Sequence, residues 1–179
     1  MRKSIVLTVL GDDRPRIVET LAEHVLAAGA NWEESRMARL AGKFAGVLRV
    51  SVDADQASSL AARLSAGQQD LTVVVTEAGE TTGAASIEGR LLRIELVGDD
   101  HPGIVRDISR ALAAAGVNIE ELESAVESAP MSGELLFRAR ALVRVPAAVT
   151  FDDLRSQLEA LASELMVDLD VADAETPDL

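Results

Sequence analysis

Apolar and polar positions follow one pattern through the first half of the chain and repeat it through the second. Residues 3–10 form a run dominated by apolar and β-branched side chains, the mark of a buried strand. Gly11-Asp12-Asp13 breaks that run as a turn. Ile17, Val18, Leu21 and Val25 then recur at helical spacing and predict an amphipathic helix with all four on one face. Pro15 fits the first turn of that helix, where its missing N–H costs nothing. Gly29 is placed to end the helix in a left-handed conformation. A strand over 31–40, a hairpin at Ala41-Gly42-Lys43 and a strand over 44–52 follow, the last with Leu48, Val50 and Val52 alternating. Residues 54–66 predict a second helix with Leu60 and Leu64 inward, and 71–75 a final strand.

The pattern then recurs. An offset of 87 residues carries Gly11-Asp12-Asp13 onto Gly98-Asp99-Asp100, and Pro15, Ile17 and Val18 onto Pro102, Ile104 and Val105. The same offset carries Ala28-Gly29 and Asn31 onto Ala115-Gly116 and Asn118. Two separated blocks matching at one offset mark a tandem duplication. The second copy predicts strand 90–97, helix 102–115, strands 118–127 and 134–145, helix 151–165 and strand 166–171. In its second helix Leu154, Leu158, Leu161 and Leu165 form one core stripe. The expected organisation is domain one over 1–76, a linker over 77–88 rich in Gly, Thr, Ala and Ser, domain two over 89–172, and an acidic tail over 173–179. The order βαββαβ implies an α+β fold of two ferredoxin-like domains, each an antiparallel sheet with both helices on one face. Right-handed crossovers place the third strand between the first and second, leaving the second and fourth as edges. Exposed edges are templates for pairing, so copies can join edge to edge, within a chain or between chains.

Composition narrows the reading. The apolar fraction of 48% is ample for a core, but only 2% of residues are aromatic, so Val, Leu, Ile and Ala must build it. The net charge of -13 argues against binding a nucleic-acid backbone or an anionic membrane. It is uneven: residues 1–88 carry -3 and residues 89–179 carry -10, and the second half can present an acidic face to a basic partner. There are no cysteines, which removes disulfides, thiolate nucleophiles and zinc ribbons. The N-terminal apolar run is broken by Thr8 and lacks a cleavage site, and no run approaches the ~18 residues that span a bilayer. A soluble cytoplasmic protein is expected.

The chemistry concentrates at the repeated turn. Unpaired N–H groups at a helix start carry partial positive charge and attract a carboxylate, from the protein or from a ligand. Asp99 and Asp100 can cap the helix or receive an ammonium group, and Gly103 lets a small ligand approach the backbone. The turn therefore reads as a plain helix cap or as a site for a zwitterion. Asn118 reads as a turn residue after Gly116, or as an edge-strand amide that reaches a neighbouring domain's turn. His24 and His101 lack metal-ligand spacing, the Asp pairs suit caps better than a cation, and no nucleophile elbow or phosphate loop is present. No catalytic residue, metal or cofactor is expected.

Asp100-His101-Pro102-Gly103-Ile104-Val105 followed by Ala115-Gly116-Val117-Asn118-Ile119 resembles the ACT domain, and the first copy matches with departures. Two such domains with no attached enzyme resemble the glycine cleavage system transcriptional repressor family. The resemblance implies a non-enzymatic regulator that binds a small amino acid, glycine or serine, between ACT domains of a homo-oligomer and acts through a protein partner. It places ligand contacts on Asp100, His101, Gly103, Ile104 and Asn118, and in the first copy on Asp13 and Asn31. There Arg16 stands where the family has glycine and can fill the pocket or clamp a carboxylate. Other readings are a free-standing regulatory subunit of an amino-acid-metabolising enzyme, and an interaction scaffold that has lost its ligand.

Overall fold

The computed structural model describes residues 2–66, 71–78, 89–129 and 133–174. The chain divides into two compact units, Met1–Ala84 and Ala85–Leu179. Unit 1 holds β1 (Arg2–Asp12), α1 (Ile17–Ala27), β2 (Asn31–Leu40), β3 (Lys43–Asp53), α2 (Ala57–Ala66) and β4 (Leu71–Glu77). Unit 2 holds β5 (Gly89–Asp99), α3 (Ile104–Ala114), β6 (Asn118–Ser128), β7 (Leu135–Pro146), α4 (Phe151–Leu165) and β8 (Val167–Asp173). The sheets run β2-β3-β1-β4 and β6-β7-β5-β8, antiparallel throughout. This is the expected α+β, ferredoxin-like pair, with β2 and β6 as edges. The segment read as linker begins inside β4, which runs on to Glu77; residues 79–88 and the tail residues 175–179 lie outside the described residues.

Strand periodicity explains why both helices of a unit share one face. Ile5, Leu7 and Val9 of β1 and Leu48, Val50 and Val52 of β3 point the same way and are buried. Ile17, Leu21 and Val25 from α1 and Leu60 and Leu64 from α2 close over them in one core. In unit 2 the same role falls to Leu92, Ile94 and Leu96, covered by Ile104 and Leu112 of α3 and Leu154 and Leu158 of α4. Two expected core positions differ. Val18 is 47% exposed, because the α1 stripe is narrower than four residues. On α4 the fully buried line is Leu154, Leu158 and Ala162, with Leu161 and Leu165 half-buried, since a 3.6-residue period drifts across a long stripe.

Helix ends follow local chemistry. Gly29 and Gly116 take φ 66 and 70, and each closes a Schellman motif: Ala30 N–H donates to Val25 C=O at 3.1 Å, and Val117 N–H to Leu112 C=O at 2.9 Å. The helix starts differ from expectation. α1 and α3 begin at Ile17 and Ile104, two residues beyond Pro15 and Pro102, so each proline sits in the turn ahead of the helix. The reason is that Arg16 and Gly103, the N-cap residues, are left-handed, with φ 74 and 107.

Candidate functional site

Each repeated turn leaves the central strand and doubles back into a helix. Its main chain is tied to the neighbouring hairpin. Asp13 N–H donates to Gly42 C=O at 2.9 Å, and Asp100 N–H donates to Leu135 C=O at 3.0 Å. Neither helix start has a side-chain cap. The expectation that an aspartate caps the helix therefore fails, because the N-cap positions fall on Arg16 and Gly103, three residues beyond Asp13 and Asp100. Asp107 N–H instead reaches the carbonyl of Gly103 at 3.0 Å.

The two turns differ in charge. In unit 1, Asp13 pairs with Arg39 at 2.6 Å, and Asp12 pairs with Lys43, which holds the Asp12 carboxyl below its usual range. Arg16 folds back onto Glu19 through two hydrogen bonds of 2.7 and 3.0 Å. Every charge at that turn except Arg14 thus has a named opposite partner, and Arg14 has its own contacts. In unit 2, Val126 takes the place of Arg39, and Leu136 takes the place of Lys43: Asp99 pairs with Leu136 in the ladder as Asp12 does with Lys43. Among the described residues neither Asp99 nor Asp100 has an ion pair or side-chain hydrogen bond. The exposed Asp100 carboxylate, three residues ahead of the glycine helix start, is left able to receive an ammonium group.

The other residues read from sequence divide between this turn and the far end of the domain. His101 Nδ1 lies 3.3 Å from Pro102 C=O, on the turn itself. Ile104 is buried with Leu96, Phe137 and Val167, so its side chain anchors the helix and only its main chain borders the turn. A Cβ on Gly103 would stand 3.3 Å from the Arg106 guanidinium and 3.5 Å from the Asp107 carboxylate. Arg106 makes two hydrogen bonds to Asp107, of 2.8 and 3.1 Å, and these hold the Asp107 carboxyl below its usual range. Asn118 is not beside the turn. It opens β6 opposite Arg144, and its Nδ2 donates to Glu120 Oε1 at 3.1 Å, which also accepts from Arg144 Nε at 3.0 Å. The turn is level with the far end of β6, since Asp99 pairs with Leu136 and Leu136 with Glu127. Nine residues of strand, about 30 Å, separate the two. Asn31 and Asp13 stand at opposite ends of unit 1 in the same way.

The ACT domain family pattern matches the chain twice, over residues 3–76 and 90–172. The chain belongs to the ACT-domain family. It is also similar to the glycine cleavage system transcriptional repressor of Escherichia coli (strain K12), 24% identical over 161 residues that make up 90% of this chain and 85% of that protein. The crystal structure of an unknown protein from Galdieria sulphuraria superposes with a TM-score of 0.86 at 29% identity, covering 98% of this chain and 100% of that one. A second solved structure, provisionally assigned to the same kind of repressor, superposes with a TM-score of 0.73 at 20% identity over 98% of this chain and 99% of that one, a likeness of fold.

Two features of the ACT domains escaped sequence reading. One is the partner set of the first turn, Arg39 and Lys43. The offset of 87 does carry Arg39 onto Val126, so that contrast was legible. Lys43 aligns with Leu136 only after the longer second hairpin is allowed for. The other is a bulge repeated in both edge strands, at Trp32/Glu34 and Ile119/Glu121, which leaves Glu33 and Glu120 as the extra residues. The strained N-cap of the first domain offers a direct check. Arg16→Gly is expected to raise the unfolding temperature of unit 1 by about 4 °C, because relief of left-handed strain outweighs the added entropy of the unfolded chain and the loss of an exposed ion pair. Fluorescence of Trp32, the single tryptophan, packed against that core, reads it; a fall in the midpoint would contradict the strain argument.

Proposed function

We propose that the chain is a non-enzymatic, cytoplasmic amino-acid sensor that regulates transcription through a protein partner, and that the second ACT domain holds its ligand site. The observation that carries this reading is the open Asp100 carboxylate beside the Gly103 helix start, against a first turn already neutralised by Arg39 and Lys43. A small zwitterion such as glycine or serine fits there, its ammonium on Asp100 and its carboxylate on the helix-start amides.

Half of the site comes from a second copy of the chain. β6 is an edge strand, and Leu122 and Val126 on its helix side are 46% and 49% exposed beside the exposed Val105 of α3. Antiparallel pairing of two β6 edges about residue 123 buries that strip and sets Asn118 of one copy level with the turn of the other. The likeness to the Escherichia coli repressor supports a role in transcription, and the net charge of -13 supports action through protein and not through direct DNA contact.

Calorimetric titration with glycine, serine and a panel of common amino acids tests the reading. One saturable event per chain is expected. Asp100→Asn and Asn118→Ala should each weaken it by about tenfold or more, the worth of a hydrogen bond to a charged group, with Asp13→Asn silent. No binding at millimolar concentration, or equal effects of Asp13→Asn and Asp100→Asn, would reject it.

A further inference from the structure

The sheet face turned away from the helices differs between the two copies. In unit 1 the row across the middle of that face is Val47, Thr8 and Val74, on β3, β1 and β4. The next row adds Ala45 and Leu10. All five are exposed, Val47, Leu10 and Val74 by 45%, 50% and 54%. In unit 2 the same middle row, at the same register, is Arg140, Glu95 and Asp170. On the three strands inward of the β2 or β6 edge, the row therefore carries charge in unit 2 and none in unit 1, where Arg36 stands only at the β2 edge. The fold itself does not require apolar residues there, since unit 2 pairs its strands without them. Apolar surface kept on an open sheet face marks a docking surface.

We propose that this face of unit 1 docks against the same face of a second copy of the chain, sheet on sheet. Charge selects that occupant. Val47, Thr8 and Val74 carry no charge, Arg36 closes their row at the β2 edge with contacts of its own, and the two ends of the face carry pairs that neutralise themselves, Arg49 with Glu34 at 3.3 Å and Lys43 with Asp12. A two-fold axis lying in the interface through Thr8 and along β1 sets Val47 against Val74 and leaves Arg36, on β2, outside the contact with the ion pairs as a polar rim. The charged face of unit 2 is an unsuitable cover, because burying the Arg140–Glu95 ion pair and Asp170 against valine would strip their water without adding a partner. Three strands about 4.8 Å apart and seven residues long give a footprint of about 330 Å² per copy, about 660 Å² in all, the size of a weak and transient contact. The surface lies on the opposite side of the sheet from the helices and involves neither ligand turn, so this inference does not rest on the ligand reading.

The chain has no cysteine, so a single introduced thiol reports the contact. Thr8→Cys in the full chain, treated with a short bismaleimide, is expected to give a covalent dimer whose yield rises with protein concentration. Adding Val47→Glu should cut that yield at least tenfold while leaving circular dichroism and Trp32 fluorescence unchanged. Glu95→Cys, the equivalent position in unit 2, should give only background. The proposal is overturned if Thr8→Cys links no better than Glu95→Cys, if Val47→Glu leaves the yield unchanged, or if the chain carrying both cysteines links within itself. Asn118→Ala should leave the yield unaltered, which keeps this outcome separate from that of the ligand titration.

Discussion

Leu7→Ala is expected to destabilise unit 1 by about 3 kcal/mol, within the range of about 2–5 kcal/mol for a leucine cut back in a closed core. Leu7 lies on the central strand, is fully buried, and faces a core that includes Leu21, Leu48, Leu60 and Leu64. It has Leu48 and Val75 as ladder neighbours and two helices above, so little can move in to refill the space. A loss of that size is a large share of the roughly 5–15 kcal/mol that holds a domain together. Denaturant unfolding followed by Trp32 fluorescence reads unit 1 directly, since the single tryptophan packs on the same core. The mirror experiment is Leu158→Ala, in the core of unit 2. It should shift part of the circular dichroism transition and leave the Trp32 midpoint in place. A loss below about 1 kcal/mol for Leu7→Ala would show that this core closes over a missing isobutyl group.

Gly98→Val should unseat β8 from the second sheet, at a cost of about 3 kcal/mol, the upper part of the range for overpacking. Gly98 lies opposite Val167 in the β5–β8 ladder. A Cβ on Gly98 would stand 2.4 Å from Val167 Cγ1 and 2.9 Å from its Cα. The first clash can be relieved by a rotamer. The second is with backbone, and Val167 follows directly on Met166, the left-handed C-cap of α4, so the strand cannot slide freely. Val167→Ala in the same chain removes the first clash and not the second, so it should recover part of the loss. Full recovery, or none, would place the conflict elsewhere. Hydrogen exchange at the β8 amides, faster in Gly98→Val than in the parent, locates the damage.

Much of this was legible in the residues, and the exceptions are informative. Leu48, Val50 and Val52 alternate because a strand places every second side chain on one face, and Gly29 and Gly116 stop their helices because only a left-handed residue lets the chain turn there. Those rules act over a few residues. The helix starts were misplaced for a related reason: Pro15 and Pro102 are compatible with a first helical turn, but the left-handed N-caps Arg16 and Gly103 delay the helix, and φ at a non-glycine residue such as Arg16 cannot be foreseen from its side chain. Neither aspartate caps, because hydrogen bonds to the adjoining hairpin set where each turn points.

The duplication, the βαββαβ order, the strand order with its two free edges, and the leucine and valine cores are all written in the residues, because each follows from local periodicity, turn chemistry and chain handedness. Which groups meet depends on how the strands pair in three dimensions. Ladder register joins Asp12 to Lys43 in one copy and Asp99 to Leu136 in the other, and it sets Val47, Thr8 and Val74 against Arg140, Glu95 and Asp170 as matched rows. It also holds Asn118 a strand's length from the turn of its own domain. These are contacts between residues far apart in the chain. Their partners depend on hairpin length and bulges, which shift register without altering the hydrophobic pattern that the sequence displays.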